Sequence, residues 1–262
     1  MDLGLKDKVA LLTGASRGLG LATARILAQE GARLAINARK EETLIAAGEE
    51  LASFGAEVIM LPGDVTDPQT PESLISETVD VLGGLDLLFT NAGGPPPGAF
   101  EEISDETWNQ AVDLTFLSHV RLIRAALPHL RRSITPSVLA VTSISIKQPI
   151  PNLVLSNSIR AATAGLIKTL ALELGSQGIR FNSILPSWTL TERIEELLSD
   201  RAARNGTSLQ HEIETQNSQS PLGRMATPEE FGRAAAFLLS PAASYLTGVM
   251  LPVDGGTYKG LF

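Results

Sequence analysis

The sequence predicts a doubly wound α/β fold, a parallel sheet wrapped by helices on both faces, in a single domain over residues 1–262. Three observations predict it. Short apolar runs alternate with long stretches of helical periodicity. The runs are continuously apolar rather than alternating with polar residues, the mark of strands buried on both faces. The first run ends in a glycine cluster that opens a helix.

VALLTG, Val9 to Gly14, is the first strand. It leads into a helix with apolar positions Leu19, Ala22, Ile26 and Leu27, stopped by Gly31. RLAINA, Arg33 to Ala38, is the second strand, followed by a helix over Glu41 to Phe54. EVIMLPGDV and a helix from Pro68 to Leu82 repeat the unit. LDLLFTNAG, Leu85 to Gly93, is the fourth strand, and GGPPPGAF after it is a rigid loop. A long helix spans about Asp105 to Arg132, then comes SVLAVTS, Ser137 to Ser143. A helix over about Ser156 to Gly175 precedes the last two strands, GIRFNSILP and VMLPVDGG. The polar, helix-prone segment Thr191 to Pro221 interrupts this alternation and is read as a mobile helical lid, about 191–221.

Composition narrows the chemistry. The 262 residues carry 21 Lys and Arg against 29 Asp and Glu, a net charge of −8, which argues against nucleic-acid and anionic-membrane binding. The absence of cysteine removes disulfides, thiolate nucleophiles and Cys-ligated zinc. No His, Asp or Glu cluster has metal-ligand spacing, so no catalytic metal is expected. No apolar run reaches the ~18 residues that span a bilayer. The N-terminus shows no signal-peptide layout, and the expectation is a soluble, cytoplasmic protein.

Thr13 to Gly20 lies between the first strand and the first helix. Gly14, Ser16, Arg17, Gly18, Leu19 and Gly20 form a turn that admits close backbone approach to a diphosphate, with the helix N-terminus supplying free N–H groups. A preference for NAD usually needs a carboxylate at the end of the second strand to bind the ribose 2′-hydroxyl. Here that strand ends Asn37-Ala38-Arg39-Lys40. Arg39 and Arg17 instead suit a 2′-phosphate through charge-assisted hydrogen bonds, which favours NADP, with NAD as the alternative and solvated surface arginines as the plainer reading.

With these residues in place, the chain resembles the short-chain dehydrogenase/reductase family over essentially its whole length, a Rossmann-type fold, with the 3-oxoacyl-carrier-protein-reductase-like branch nearest. The resemblance implies that Asp64 and Val65 contact the adenine. It aligns Asn91, Ala92 and Gly93 with the stretch after the fourth strand, and puts Thr191 on the nicotinamide carboxamide. Ser187 stands where the family usually has glycine, and PVDGG matches the family's last strand and turn. The family's chemistry uses a serine to steady the substrate oxygen and a tyrosine to exchange the proton. A lysine four residues after the tyrosine lowers its pKa and holds the nicotinamide ribose, and an asparagine supports a relay water.

Ser143 fits the serine. The tyrosine position holds Ser156, the lysine position Arg160 and the asparagine position Thr115. An aliphatic hydroxyl is too weak an acid to replace a phenol near pH 7. Arginine cannot relay a proton, though its fork still suits ribose hydroxyls, so Arg160 is carried as both a catalytic-position and a cofactor-binding residue. Lys147 is a candidate donor whose plainer reading is a solvent-facing loop lysine. His119 is read as packed or at the surface, and Asn157 either orients a water or simply starts its helix. Tyr245 and Tyr258 lie far along the chain from this helix. A serine hydrolase is rejected, because neither Ser143 nor Ser156 sits in a nucleophile elbow.

Two functions remain open. The first is an atypical NADP-dependent oxidoreductase for a small carbonyl or alcohol substrate with a non-standard proton donor. The second is a catalytically silent dinucleotide-binding sensor or scaffold. The loop at Pro95 to Pro97 and the lid would wall the substrate. The resemblance also implies a homodimer or homotetramer through the two long helices, the second of which carries Ala161, Ala162, Ala164 and Gly165.

Overall fold

In a computed structural model, which describes residues 2–261, seven parallel strands form one sheet in the order β3-β2-β1-β4-β5-β6-β7. The strands are β1 Val9–Leu12, β2 Arg33–Ala38, β3 Val58–Pro62, β4 Leu87–Thr90, β5 Ser137–Val141, β6 Arg180–Pro186 and β7 Met250–Val253. Successive side chains alternate between faces, and helices cover both. Ala10, Leu12, Leu34, Ile36, Leu87 and Phe89 pack against α1 (Gly18–Gln29), α2 (Glu41–Ala52) and α9 (Pro228–Leu239). Leu11, Ala35, Leu88, Val138, Ala140 and Phe181 pack against α3 (Thr70–Leu82), α5 (Ser118–Leu130) and α6 (Val154–Leu174). The central strands β1, β4 and β5 have no solvent face, which explains their unbroken apolar sequences, whereas the edge strands β3 and β7 are partly exposed. No helix among the described residues is long and apolar enough to cross a membrane.

The crossover from β3 back to β4 reverses the winding beside β1. That is the topological switch point, where doubly wound sheets bind ligands beyond the carboxyl ends of their strands. The site described below lies there.

Three details add to the expected architecture. The long helix over 105–132 is α4 (Asp105–Val112) and α5, joined through one wide π turn at Asp113–Leu117. The lid segment folds as two helices, α7 (Glu192–Asn205) and α8 (Leu209–Ser218). The sequence reading left out α9, although its signature is present: Thr227 and Glu230 form a reciprocal capping box with Pro228 at the first helical position.

Arg180 closes the other end of α9. Its guanidinium donates to the carbonyls of Leu238, Leu239 and Ser240 at 2.7, 2.8 and 2.9 Å, occupying carbonyls a helix end leaves orphaned. Burial pushes its pKa down to about 10, so it remains charged at neutral pH and complements the helix dipole. Arg180→Ala is expected to cost about 3 kcal/mol, the scale of a lost set of charged hydrogen bonds, and to lower Tm by roughly 6–12 °C in calorimetry.

Candidate active site

β1 delivers the chain into the glycine turn. Gly14 and Gly18 adopt φ of 59° and 56°, left-handed conformations that favour glycine. Space is tighter still at Gly20, where a Cβ would lie 2.1 Å from the Gly14 carbonyl oxygen. The turn is braced from both neighbouring strands. Thr13 Oγ1 donates to the Asn91 carbonyl at 2.8 Å, and Asn91 Nδ2 donates to the Gly14 carbonyl at 3.2 Å. The Ala15 N–H donates to the Asn37 carbonyl at 2.9 Å. Asn37 is itself buried, and its amide donates to the Leu61 and Gly63 carbonyls. Helix α1 begins at this turn without a side-chain cap, which leaves its first amides for an anion. The side chain of Asn91 is thus spent on holding the cradle's shape.

Arg17 and Arg39 flank the turn. Arg17 is exposed and pairs with Glu192 at 3.2 Å, joining the glycine turn to the first residue of α7. Arg39 is exposed and stands 3.9 Å from Asp64 Oδ2, while Asp64 Oδ1 accepts from the N–H and hydroxyl of Thr66. Exposed pairs of this kind contribute about 0–1 kcal/mol, so both guanidiniums can turn toward a phosphate at little cost. Val65, next to Asp64, is buried in the core beside Leu61. Thr191 touches the other side of the turn, its Cγ2 3.6 Å from where a Cβ on Gly18 would stand. A turn closed to side chains, an uncapped helix start and two flanking arginines fit a phosphorylated dinucleotide.

At the far end of the cleft the serines connect through a third. Ser143 follows β5 and its Oγ accepts the Ser145 N–H at 3.1 Å. The buried Ser145 hydroxyl in turn lies 3.5 Å from Ser156 Oγ on α6. Sequence reasoning missed Ser145. The available signal was its position two residues after Ser143, where a single 3₁₀ turn carries the chain back toward α6.

Arg160 is buried and donates to the carbonyls of Val141 and Thr142 at 3.0 and 3.2 Å and of Gly93 at 3.3 Å. It therefore clamps the ends of β4 and β5 together. Burial, then the nearby Arg193 charge, lower its pKa to about 10, which leaves it cationic. Thr115 sits on the π turn, a feature often found at functional sites. Its carbonyl accepts the Thr163 hydroxyl at 2.6 Å, so a protein hydroxyl occupies the oxygen of this widened turn.

His119 is buried, with Nδ1 2.7 Å from Thr90 Oγ1. Burial, then the Arg160 charge, push its pKa down to about 3, so it is neutral and no acid at pH 7. The unfolded chain takes up this proton near pH 6.5, so stability falls by about 1.4 kcal/mol per unit as pH drops below that value. His119→Gln is expected to recover about 2 kcal/mol of the stability lost between pH 7 and pH 5, read from urea unfolding at the two pH values.

Asn157 pairs both amide atoms with the backbone of Ile150, at 3.0 and 3.3 Å, and so pins the loop before α6. Lys147 is half-buried, with Nζ 5.2 Å from the centre of the Tyr258 ring. Tyr258, though far along the chain, therefore comes close to this loop: the turn after β7 folds back onto the loop after β5. Tyr245 is fully exposed.

Fold and site together define a doubly wound α/β protein with a tight glycine turn and an uncapped helix start at its switch point. Residues 14–258 match the family model described as enoyl-(acyl carrier protein) reductase. The chain is 34% identical over 257 residues to 2,5-dichloro-2,5-cyclohexadiene-1,4-diol dehydrogenase of Sphingobium indicum, covering 98% of each chain. Its structure resembles L-sorbose reductase of Gluconobacter frateurii, solved with NADPH and L-sorbose, with TM-score 0.95, 33% identity and full coverage of both chains. It also resembles a short-chain oxidoreductase of Pseudomonas aeruginosa described as containing an atypical catalytic center, with TM-score 0.90, 32% identity and coverage of 99% of this chain and 100% of that one. The chain belongs to the short-chain dehydrogenase/reductase family, whose members are nicotinamide-dinucleotide-dependent oxidoreductases.

Proposed function

We propose that this chain is an NADP(H)-dependent oxidoreductase that interconverts a small carbonyl and its alcohol, in the manner of 3-oxoacyl reductases, with a proton route that avoids a tyrosine. The observation that carries the reading is the glycine cradle flanked by Arg17 and Arg39, with no carboxylate at the end of β2. Bound there, the dinucleotide supplies or accepts hydride. Gly14, Ser16, Gly18, Leu19 and Gly20 hold its diphosphate, and Arg17 and Arg39 its 2′-phosphate. Asp64 and Val65 meet the adenine, Asn91, Ala92, Gly93 and Arg160 border the nicotinamide ribose, and Thr191 holds the carboxamide. Ser143 donates to the substrate oxygen while its Oγ accepts the Ser145 N–H, and the Ser145 hydroxyl faces that of Ser156. Helices α7 and α8 act as the lid. The NADPH bound to the sorbose reductase supports the cofactor choice. The atypical centre of the Pseudomonas protein supports a departure from the usual acid.

The same geometry favours one other reading, a silent dinucleotide sensor. All three hydrogen bonds of Arg160 go to backbone carbonyls, and His119 is neutral. NADPH consumption with a panel of ketones, ketoses and oxo esters decides between them. Turnover above background with any of these supports the enzyme, and none with all of them supports the sensor.

Assembly as a homodimer or homotetramer belongs to the same proposal. Ala161, Ala162 and Gly165 are exposed along α6, whereas Ala164 packs inward. Leu172 continues that face at 76% exposure. Light scattering at the mass of a single chain would overturn this.

A further inference from the structure

Four arginines surround the cleft, and they fall into two kinds. Arg17 and Arg39, on either side of the glycine turn, each have a carboxylate within 4 Å. Arg160 and Arg193, seated on the loop after β4, have none that close among the described residues. Arg160 rests on backbone carbonyls alone. Arg193 extends from the first turn of α7 and donates to the carbonyls of Gly94 at 3.3 Å and Pro95 at 3.5 Å. Arg160 takes the carbonyl immediately before these, Gly93 at 3.3 Å. Two guanidiniums therefore sit on consecutive carbonyls of one loop.

Arg160 lies at the end of the cleft that carries the serines, and Arg193 is close enough to both Arg160 and Arg17 for their charges to act on one another. The same Arg160 that reaches Gly93 also holds the Thr142 carbonyl, the residue next to Ser143. Like charges this close oppose one another. Arg193 lowers the pKa of Arg160, and burial and Arg17 lower that of Arg193 itself, with only a partial offset from Glu196. Carbonyl dipoles satisfy the N–H groups but do not neutralise the charge. Cations crowded together without a counterion are costly, and an acidic ligand relieves that cost through bidentate, charge-assisted bonds.

We propose that the substrate carries its own acid group, a carboxylate near the reacting carbonyl, gripped by Arg193 with the Arg160 charge behind it. The substrate class is thus an oxo acid and its hydroxy acid. This rests on the dinucleotide-binding reading above. The other anion that could reach Arg193 is the cofactor's diphosphate, since Arg17 and the glycine turn lie near enough for the Arg17 charge to act on Arg193, but that group already has the uncapped start of α1.

The test is a titration of acetoacetate and of its methyl ester into protein loaded with NADP+, where hydride transfer from cofactor to ketone cannot occur. The acid is expected to bind at least tenfold tighter than the ester. Arg193→Gln removes that difference while Kd for NADP+ changes less than about twofold, and Arg193→Lys keeps part of it because a single ammonium replaces a fork. Equal binding of acid and ester overturns the proposal, as does the absence of binding by both. Loss of NADP+ affinity in Arg193→Gln also overturns it, since the diphosphate is then the anion held. Failure of the wild type to bind NADP+ at all is a separate outcome that removes the dinucleotide reading and this proposal with it.

Discussion

Replacing Ser156 by Tyr together with Arg160 by Lys is expected to raise the rate of NADPH-dependent carbonyl reduction by roughly 10²–10⁴, the usual worth of a positioned general acid. Ser156 is half-buried at the start of α6, with its Oγ facing the Ser145 hydroxyl. A phenol at this position can be tuned toward neutrality by an adjacent ammonium, whereas an aliphatic hydroxyl cannot. The gain should fall toward the lower end, because the Thr115 carbonyl remains engaged by Thr163. Arg160→Lys alone should lose activity and about 1–3 kcal/mol of stability, since a compact ammonium cannot span the carbonyls of Val141, Thr142 and Gly93. An unchanged rate in the double variant, with NADPH still bound and the fold intact, would mean that proton supply does not limit this cleft.

Converting Arg17 and Arg39 together to Ala is expected to weaken NADPH binding by roughly 10²–10⁴, at about 1.5–3 kcal/mol for each charged hydrogen bond lost. NADH, which lacks the 2′-phosphate, should be affected by less than about threefold. The wild-type preference should also shrink as salt is added, because both side chains are exposed and screened. Equal weakening toward both dinucleotides in calorimetry would place the arginines on a group the two cofactors share.

The architecture was legible because it rests on local chemistry. Buried strands require unbroken apolar runs such as RLAINA, and the close approach of Gly20 to Gly14 requires glycine. The π turn was not legible, because the sequence around Thr115 keeps ordinary helical periodicity and the widened turn is visible only in the backbone. Helix α9 is legible too, because its start is set by a local capping box at Thr227 to Glu230 with Pro228 at the first helical position.

In the site, the cradle could be read because it is contiguous, from Thr13 to Gly20. The pairing of Lys147 with Tyr258 could not, since it depends on how the turn after β7 folds back. The same holds for Arg193. Its meaning comes from carbonyls about a hundred residues away, and nothing in the local sequence of α7 sets it apart from a surface arginine. The substitutions at Ser156, Arg160 and Thr115 stood out in the sequence. What they do in space, the link through Ser145 and the clamp between β4 and β5, required the fold.

Titration of the intact wild-type chain with NADPH and, separately, NADH by calorimetry tests the central claim most directly. Saturable binding of NADPH, at least tenfold tighter than that of NADH, is the result that follows from the cradle at Gly14 to Gly20 and its two arginines. No binding heat from either dinucleotide at millimolar concentration would contradict it.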